Sequence, residues 1–260
     1  MGRDPFEIMP NLPMHIYLAD QVAEQLDRNY VFDHLGSYYL GSTAPDIRAM
    51  TKLPRELTHF APLSVKEVGT GTRTMFQMHP ELSEAMSPAS QAFLAGYISH
   101  LAADEIWITS VFRPHFDTSL EDSRLTDNQV EANIWDRAMQ LDLDRHALPH
   151  LNVDNHPKEL LACSDQDVSM PFFEDGLLTE WKDRVGRFPV WEFTWDRLKG
   201  ALNRMYRDDE GVQRTVEQFL EGMPRSLEQV YEKVQEAEVS AYQERAMAAT
   251  IAQVRAFVPD

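Results

Sequence analysis

His100 and Asp104 stand four residues apart in GYISHLAADEIW, so any helix that carries them presents both on one face. An imidazole and a carboxylate on an apolar face form either a hydrogen-bonded core pair or two ligands of a divalent metal, because an unpaired buried charge is costly. The HxxxD spacing alone does not choose between these. Three further residues of ligating type lie upstream: His15 in MHIYLAD, Asp46 in GSTAPD and His59 in RELTHF. Each alone has an ordinary role, His15 as a core or capping histidine, Asp46 as a helix cap and His59 as a loop residue. His79 and His115 read as loop histidines. His146, His150 and His156 cluster around Pro149 and Pro157, which interrupt a regular ligand spacing, so they read as a surface connector.

The element that must position His100 and Asp104 is a long apolar helix. Ser87 is its N-cap, Pro88 its first helical residue and Pro114 its stop. Phe93, Tyr97, Trp107 and Val111 share the face of the pair and turn it inward. A first helix over 14–27 aligns His15 with Leu18, Val22 and Leu26. Over 30–50 a short helix gives way to a turn at GSTAPD, where Asp46 sits. The Gly/Thr-rich stretch after His59 reads as a long loop with room for a short hairpin.

Amphipathic helices follow over 127–143, 160–167, 177–185 and 195–206, with 211–258 divided near Pro224 into two, and Trp191 and Trp195 cover helix ends. There is no internal repeat and no credible linker. The expected fold is all-α, a single multi-helix domain over 9–260, with residues 1–8 read as a leader foreign to the fold and the natural start at Met9.

Composition narrows the partners. The 260 residues are 43% hydrophobic, ample for a core, and 24 Lys+Arg against 42 Asp+Glu leave a net charge of -18. That excess disfavours nucleic acid and anionic membrane surfaces. A single cysteine, Cys163, excludes an intrachain disulfide and fits a reducing compartment. The sequence has neither a transmembrane run nor a secretory signal, so a cytoplasmic protein without stable membrane insertion is expected. Nothing in it specifies an oligomeric state.

Taken in order, MHIYLAD, GSTAPD, THF and GYISHLAADEIW resemble the zinc-dependent phospholipase C family, an all-α fold shared with zinc-dependent single-strand nucleases. The likeness covers roughly 9–116. It implies one metal on Asp46, His59, His100 and Asp104, with Asp104 bridging to a neighbouring metal that also takes His15. Two features depart from the family. No tryptophan precedes His15 to serve as an N-terminal ligand. Ser110 stands ten residues after His100 where a third metal's histidine is expected, and there is no HxxxE. That third site is absent or rebuilt, with His115, Glu131, Asp136 and His146 as the candidate substitutes.

The implied activity is a metal-dependent phosphoester hydrolase, phospholipase C-like or a small-molecule phosphodiesterase, in which one or two zinc ions activate water and Asp46 orients it or takes its proton. Iron or manganese suits the same ligands. Substrates would be small-molecule or lipid phosphoesters. Two alternatives stand beside this: an enzyme of the same fold acting on a non-phosphate metabolite, and a non-catalytic helical protein stapled by its metal.

Overall fold

The computed structural model describes residues 12–120, 125–153, 165, 167–187, 192–206 and 209–258. The chain runs through α1 (Leu12–Leu26), α2 (Asn29–Asp33), α3 (Leu35–Thr43), α4 (Arg48–Thr51), α5 (Thr70–Met78) and α6 (Pro88–Trp107). A π-helical stretch, Ile108–Phe112, joins α6 to the single turn α7 (Arg113–His115). Then come α8 (Gln129–Val153), α9 (Leu177–Arg187), α10 (Asp196–Tyr206), α11 (Glu210–Glu221), α12 (Arg225–Tyr231) and α13 (Glu236–Phe257). No strand occurs among the described residues, so the all-α expectation holds.

The central helix begins as its sequence predicts. The Ser87 hydroxyl accepts from the Ser90 N–H at 3.2 Å, and Pro88 occupies the first turn, where a missing N–H costs nothing. Every residue from Ala92 to Trp107 is buried. Such a helix is held by its surroundings on all sides, each large side chain contributing about 1.5–3 kcal/mol. It packs chiefly on α3 and α13, while α1 lies against α8 and α13.

The crossing with α3 is backbone on backbone: a Cβ at Gly96 would stand 1.9 Å from the Tyr38 carbonyl oxygen, and one at Gly41 2.0 Å from that of Phe93. No other residue type permits this approach. Pro114 does not stop the helix. Its ring would collide with the carbonyl four residues back. The ladder instead widens over Ile108–Phe112, with the Thr109 and Ser110 hydroxyls donating to the Glu105 and Ile106 carbonyls at 2.7 and 2.6 Å.

Other local expectations are corrected. GSTAPD is a turn only in its second half. Its first three residues end α3 and the rest enter a 3-10 turn, Ala44–Ile47, because Ser42 and Thr43 return their hydroxyls to the carbonyls of Tyr39 and Leu40 at 2.8 Å. The segment after His59 forms α5 and no hairpin. Residues 144–153 continue α8 despite Pro149, because doing so buries Ala147, Leu148 and Leu151. The stretch after Gly211 holds three helices, not two, the break after Tyr231 separating α12 from α13. Residues 1–8, His156, Cys163 and Trp191 lie outside the described residues, as does most of the short helix expected over 160–167.

Candidate metal centre

His100 points from the middle of α6 toward the end of α3. Its Nδ1–H donates to the Ser42 carbonyl at 2.8 Å, a bond that the Gly41 and Gly96 approach makes possible. A carbonyl only accepts, so the proton sits on Nδ1 and Nε2 carries the lone pair. His59 is set the same way. Thr58 Oγ1 donates to the Arg55 carbonyl and lies 2.9 Å from His59 Nδ1, which leaves Nε2 facing inward. The two Nε2 atoms stand 3.3 Å apart. Two lone pairs at that distance repel unless a cation lies between them.

The carboxylates complete the cage. Asp104 Oδ2 is 3.2 Å from His59 Nε2 and 3.5 Å from His100 Nε2, while Asp46 Oδ1 is 3.7 and 4.0 Å from the same atoms. In a tetrahedral zinc site with bonds of about 2.0–2.1 Å, neighbouring ligand atoms are roughly 3.3 Å apart. The donor spacings match that geometry, and only modest contraction at Asp46 is needed. Asp104 Oδ1, which accepts no hydrogen bond, lies 3.4 Å from His15 Nε2, and the His15 ring stacks on His100 at 3.7 Å. Among the described residues, His15, Asp46 and His100, and His59, His100 and Asp104, form the convergent groups able to hold an ion. All five ligand types picked out from the sequence therefore meet in one place.

The electrostatics fit a place built for positive charge. Burial pulls His100 down, but Asp104, Asp46 and the Ser42 carbonyl outweigh it and raise its pKa. Asp104 is held well below the carboxylate range: burial raises it, and the neighbouring His100, His59 and Arg55 overcome that. Burial takes His59 well below its ordinary value, helped by Arg55, so it stands ready as a neutral ligand. Burial also raises Asp46, with His100, Arg55 and Arg48 opposing and Asp104 adding to the rise. Asp46 is 31% exposed where the other four are within 1% of full burial, so it marks the side from which solvent enters.

Arg55 and Glu105, which pattern-reading passed over, and Tyr97, read there only as part of the apolar face, hold this cage. Arg55 Nη2 donates to Asp104 Oδ2 at 3.1 Å from a position only 6% exposed. Tyr97 donates to the Thr58 carbonyl, tying α6 to the His59 segment. Glu105, next to Asp104, caps α5 by accepting the N–H groups of Gly69, Thr70 (3.1 Å) and Gly71 (2.6 Å). A Cβ at Gly71 would come within 2.5 Å of the His59 carbonyl oxygen, so the GTG motif lets α5 close on the ligand segment. The available signals were Arg55 one turn before His59, and Glu105 as the second charge in an otherwise uncharged run from Ala92 to Phe112.

The candidate substitutes for a third metal site do not gather. His115 bonds Glu238 at 2.7 Å, and His146 is exposed beside Arg145 and Asp142. Asp136 accepts from Trp107 and Gln140. Glu131 is in no convergent group among the described residues. His79 meets Phe60 edge-on and Phe172 at a tilt, at 5.8 and 5.2 Å between ring centres, in the wall of a cleft of about 500 Å³. Thr51, Leu53, Leu57 and Phe60, all from the connection between Asp46 and His59 or adjoining it, line that cleft, with Leu57 and Met78 exposed at its lip.

The family model described as zinc dependent phospholipase C matches residues 14–183, a span that includes all five convergent residues and reaches well past the stretch whose motifs carry the resemblance. No curated protein and no solved structure matches the chain.

Proposed function

The chain belongs to the zinc-dependent phospholipase C family, and from that premise we propose that it is a metal-dependent hydrolase of phosphoesters. The observation that carries this is the convergence of His59 and His100 Nε2 with Asp46 and Asp104 oxygens at 3.2–4.0 Å, lone pairs inward. His59, His100, Asp46 and Asp104 would hold zinc, with His15 beside Asp104. Zinc bound there supplies a Lewis acid for a phosphoryl oxygen and a water acidic enough to ionise near pH ~7.

The chain's own residues divide the remaining work. The Ser42 carbonyl and Thr58 hydroxyl keep the imidazoles in the ligating tautomer. Asp46, the one ligating group open to solvent, orients the attacking water and takes its proton. Asp104, fixed by Arg55, stays ionised throughout. The apolar cleft beside the Asp46–His59 connection suits a substrate whose phosphoester carries an apolar group. The chain's -18 net charge turns it away from anionic surfaces, and no described helix is long and apolar enough to cross a membrane. Cytoplasmic residence is part of this reading, resting on the single cysteine.

The test pairs elemental analysis of protein purified without chelator with a panel of chromogenic phosphodiesters and short-chain phospholipids. Zinc bound to the protein and phosphoester turnover that both vanish in His100→Ala with Asp104→Ala are expected. Equal metal content and turnover in parent and variant would end this reading.

A further inference from the structure

We infer that Trp181 is a positioning residue of the metal centre: through Thr43, its indole N–H fixes the stretch of chain that supplies the Ser42 carbonyl and Asp46. The catalytic consequence rests on the hydrolase reading above, whereas the effect on zinc affinity needs only the convergence of donors.

Asp46 is the donor that its neighbours hold least closely. Asp104 Oδ2 stands 3.2 and 3.5 Å from the His59 and His100 nitrogens, and Asp46 Oδ1 stands 3.7 and 4.0 Å from them. Arg55 donates to Asp104 at 3.1 Å, and the Ser42 carbonyl and Thr58 orient the two imidazoles. Asp46 is carried instead on the 3-10 turn Ala44–Ile47, so its place depends on how firmly that turn is held. Ala44, Pro45 and Ile47 are buried and seat the turn. Apolar burial has no direction, so it leaves the exact setting of the carboxylate to be fixed by something that has.

Thr43, immediately before the turn, takes such a bond. Its Oγ1 donates to the Leu40 carbonyl at 2.8 Å and accepts from Trp181 Nε1 at 3.0 Å. A hydroxyl has one proton, which Leu40 receives here, and its remaining lone pairs suit the single donor of an indole. Thr43 is fully buried and Trp181 is 2% exposed, so water competes little for either group. The bond joins residues 138 apart and ties α9 to the chain between Ser42, whose carbonyl sets His100, and Asp46. Leu177, one turn before Trp181 on the same side of α9, lines the cleft beside the Asp46–His59 connection. One helix thus walls that cleft and holds the turn of the solvent-facing ligand.

A core tryptophan with no bearing on the centre would lower stability when altered and nothing else. The full chain is stripped of metal and titrated with zinc against a chelating dye. Four variants are treated alike: Trp181→Phe, which keeps an aromatic ring without the N–H; Thr43→Val, which keeps the shape without the hydroxyl; Thr43→Ser, which keeps the hydroxyl; and Trp181→Phe combined with Thr43→Val. Zinc affinity should fall about five- to tenfold in Trp181→Phe and in Thr43→Val, as for one neutral hydrogen bond. It should fall no further in the combined variant, because the same bond is lost each time, and Thr43→Ser should match the wild type. At saturating zinc, kcat for a soluble phosphodiester should drop about tenfold or more in Trp181→Phe and in Thr43→Val with KM unchanged, since a displaced Asp46 misplaces the attacking water.

Wild-type zinc affinity or wild-type kcat in folded Trp181→Phe and Thr43→Val overturns the proposal, whatever their urea midpoints. Losses that add in the combined variant overturn it too, because they come from separate packing defects. So does a Thr43→Ser variant as impaired as Thr43→Val. Should Trp181→Phe not fold, Thr43→Val against Thr43→Ser decides by itself. A wild type that holds zinc yet cleaves no phosphodiester overturns the hydrolase reading alone, and zinc affinity in the variants then decides this one.

Discussion

Two buried polar regions lie side by side in this protein, and they resolve the same electrostatic problem in opposite ways. Along α8, Asp136 accepts from Trp107 Nε1 at 2.9 Å and Gln140 Nε2 at 2.8 Å, Asp142 from Arg145 Nε and the Tyr231 hydroxyl, and Asp144 from the Met14 N–H and Arg197. Every one of these carboxylates has its donors. Around α6, two imidazole lone pairs and two carboxylate oxygens face one another, and only Arg55 donates into the group. Burial of acids and histidines is therefore not what marks a metal centre. The mark is acceptors converging without enough protons among them.

The comparison breaks most visibly if α6 is emptied. His100→Ala with Asp104→Ala should abolish zinc binding and lower phosphoester turnover by about 10⁴-fold, roughly 5 kcal/mol of transition-state stabilisation. Asp136→Ala, equally buried, should leave the zinc content of the protein untouched when measured by the same elemental analysis. The reverse holds for stability: Asp144→Ala strands Arg197 and the Met14 N–H, and urea unfolding should show a loss of about 3–5 kcal/mol while zinc remains bound.

Proton linkage sharpens the contrast. Burial pushes Asp136 up to about 7, against Arg137, Trp107 and Gln140, far above an unfolded aspartate near 3.9. Between these values the native chain holds the extra proton. The stabilisation is complete below about pH 3.9 and is lost as pH rises through about 7. Gln140 Oε1 has no hydrogen-bond partner as placed, and an amide turned over would accept from the protonated acid. Asp136→Asn should remove this decline, on the order of 4 kcal/mol, from unfolding curves taken across that window. The smallest effect is metal removal: at zinc a hundredfold above Kd, binding stabilises by about 2.7 kcal/mol, so a chelator should lower Tm in the wild type and leave it unmoved in His100→Ala with Asp104→Ala.

Much of the frame was legible in order along the chain. Ser87 and Pro88 announce the start of α6, an uncharged apolar run makes it central, and the helical period of 14–27 buries His15 with Leu18, Val22 and Leu26. The failures share a cause. Pro114, Pro149 and GSTAPD were read as breaks because their local chemistry favours breaks. Packing outweighed them: burial of Leu148 and Leu151 carries α8 past its proline, and hydroxyl bonds to the backbone carry α6 and α3 through theirs.

The residue types alone determined an all-helical chain, the five donors and their family order. Which way each donor faces was decided in three dimensions. His100 is turned by a carbonyl 58 residues away, Arg55 reaches Asp104 across 49 residues, and Glu105 finds its N–H partners 34 to 36 residues upstream. Local periodicity reports which side of a helix is apolar and is silent about partners at such separations. Here those partners are set by the close crossing at Gly41 and Gly96, because only backbones in contact bring the Ser42 carbonyl to the His100 ring.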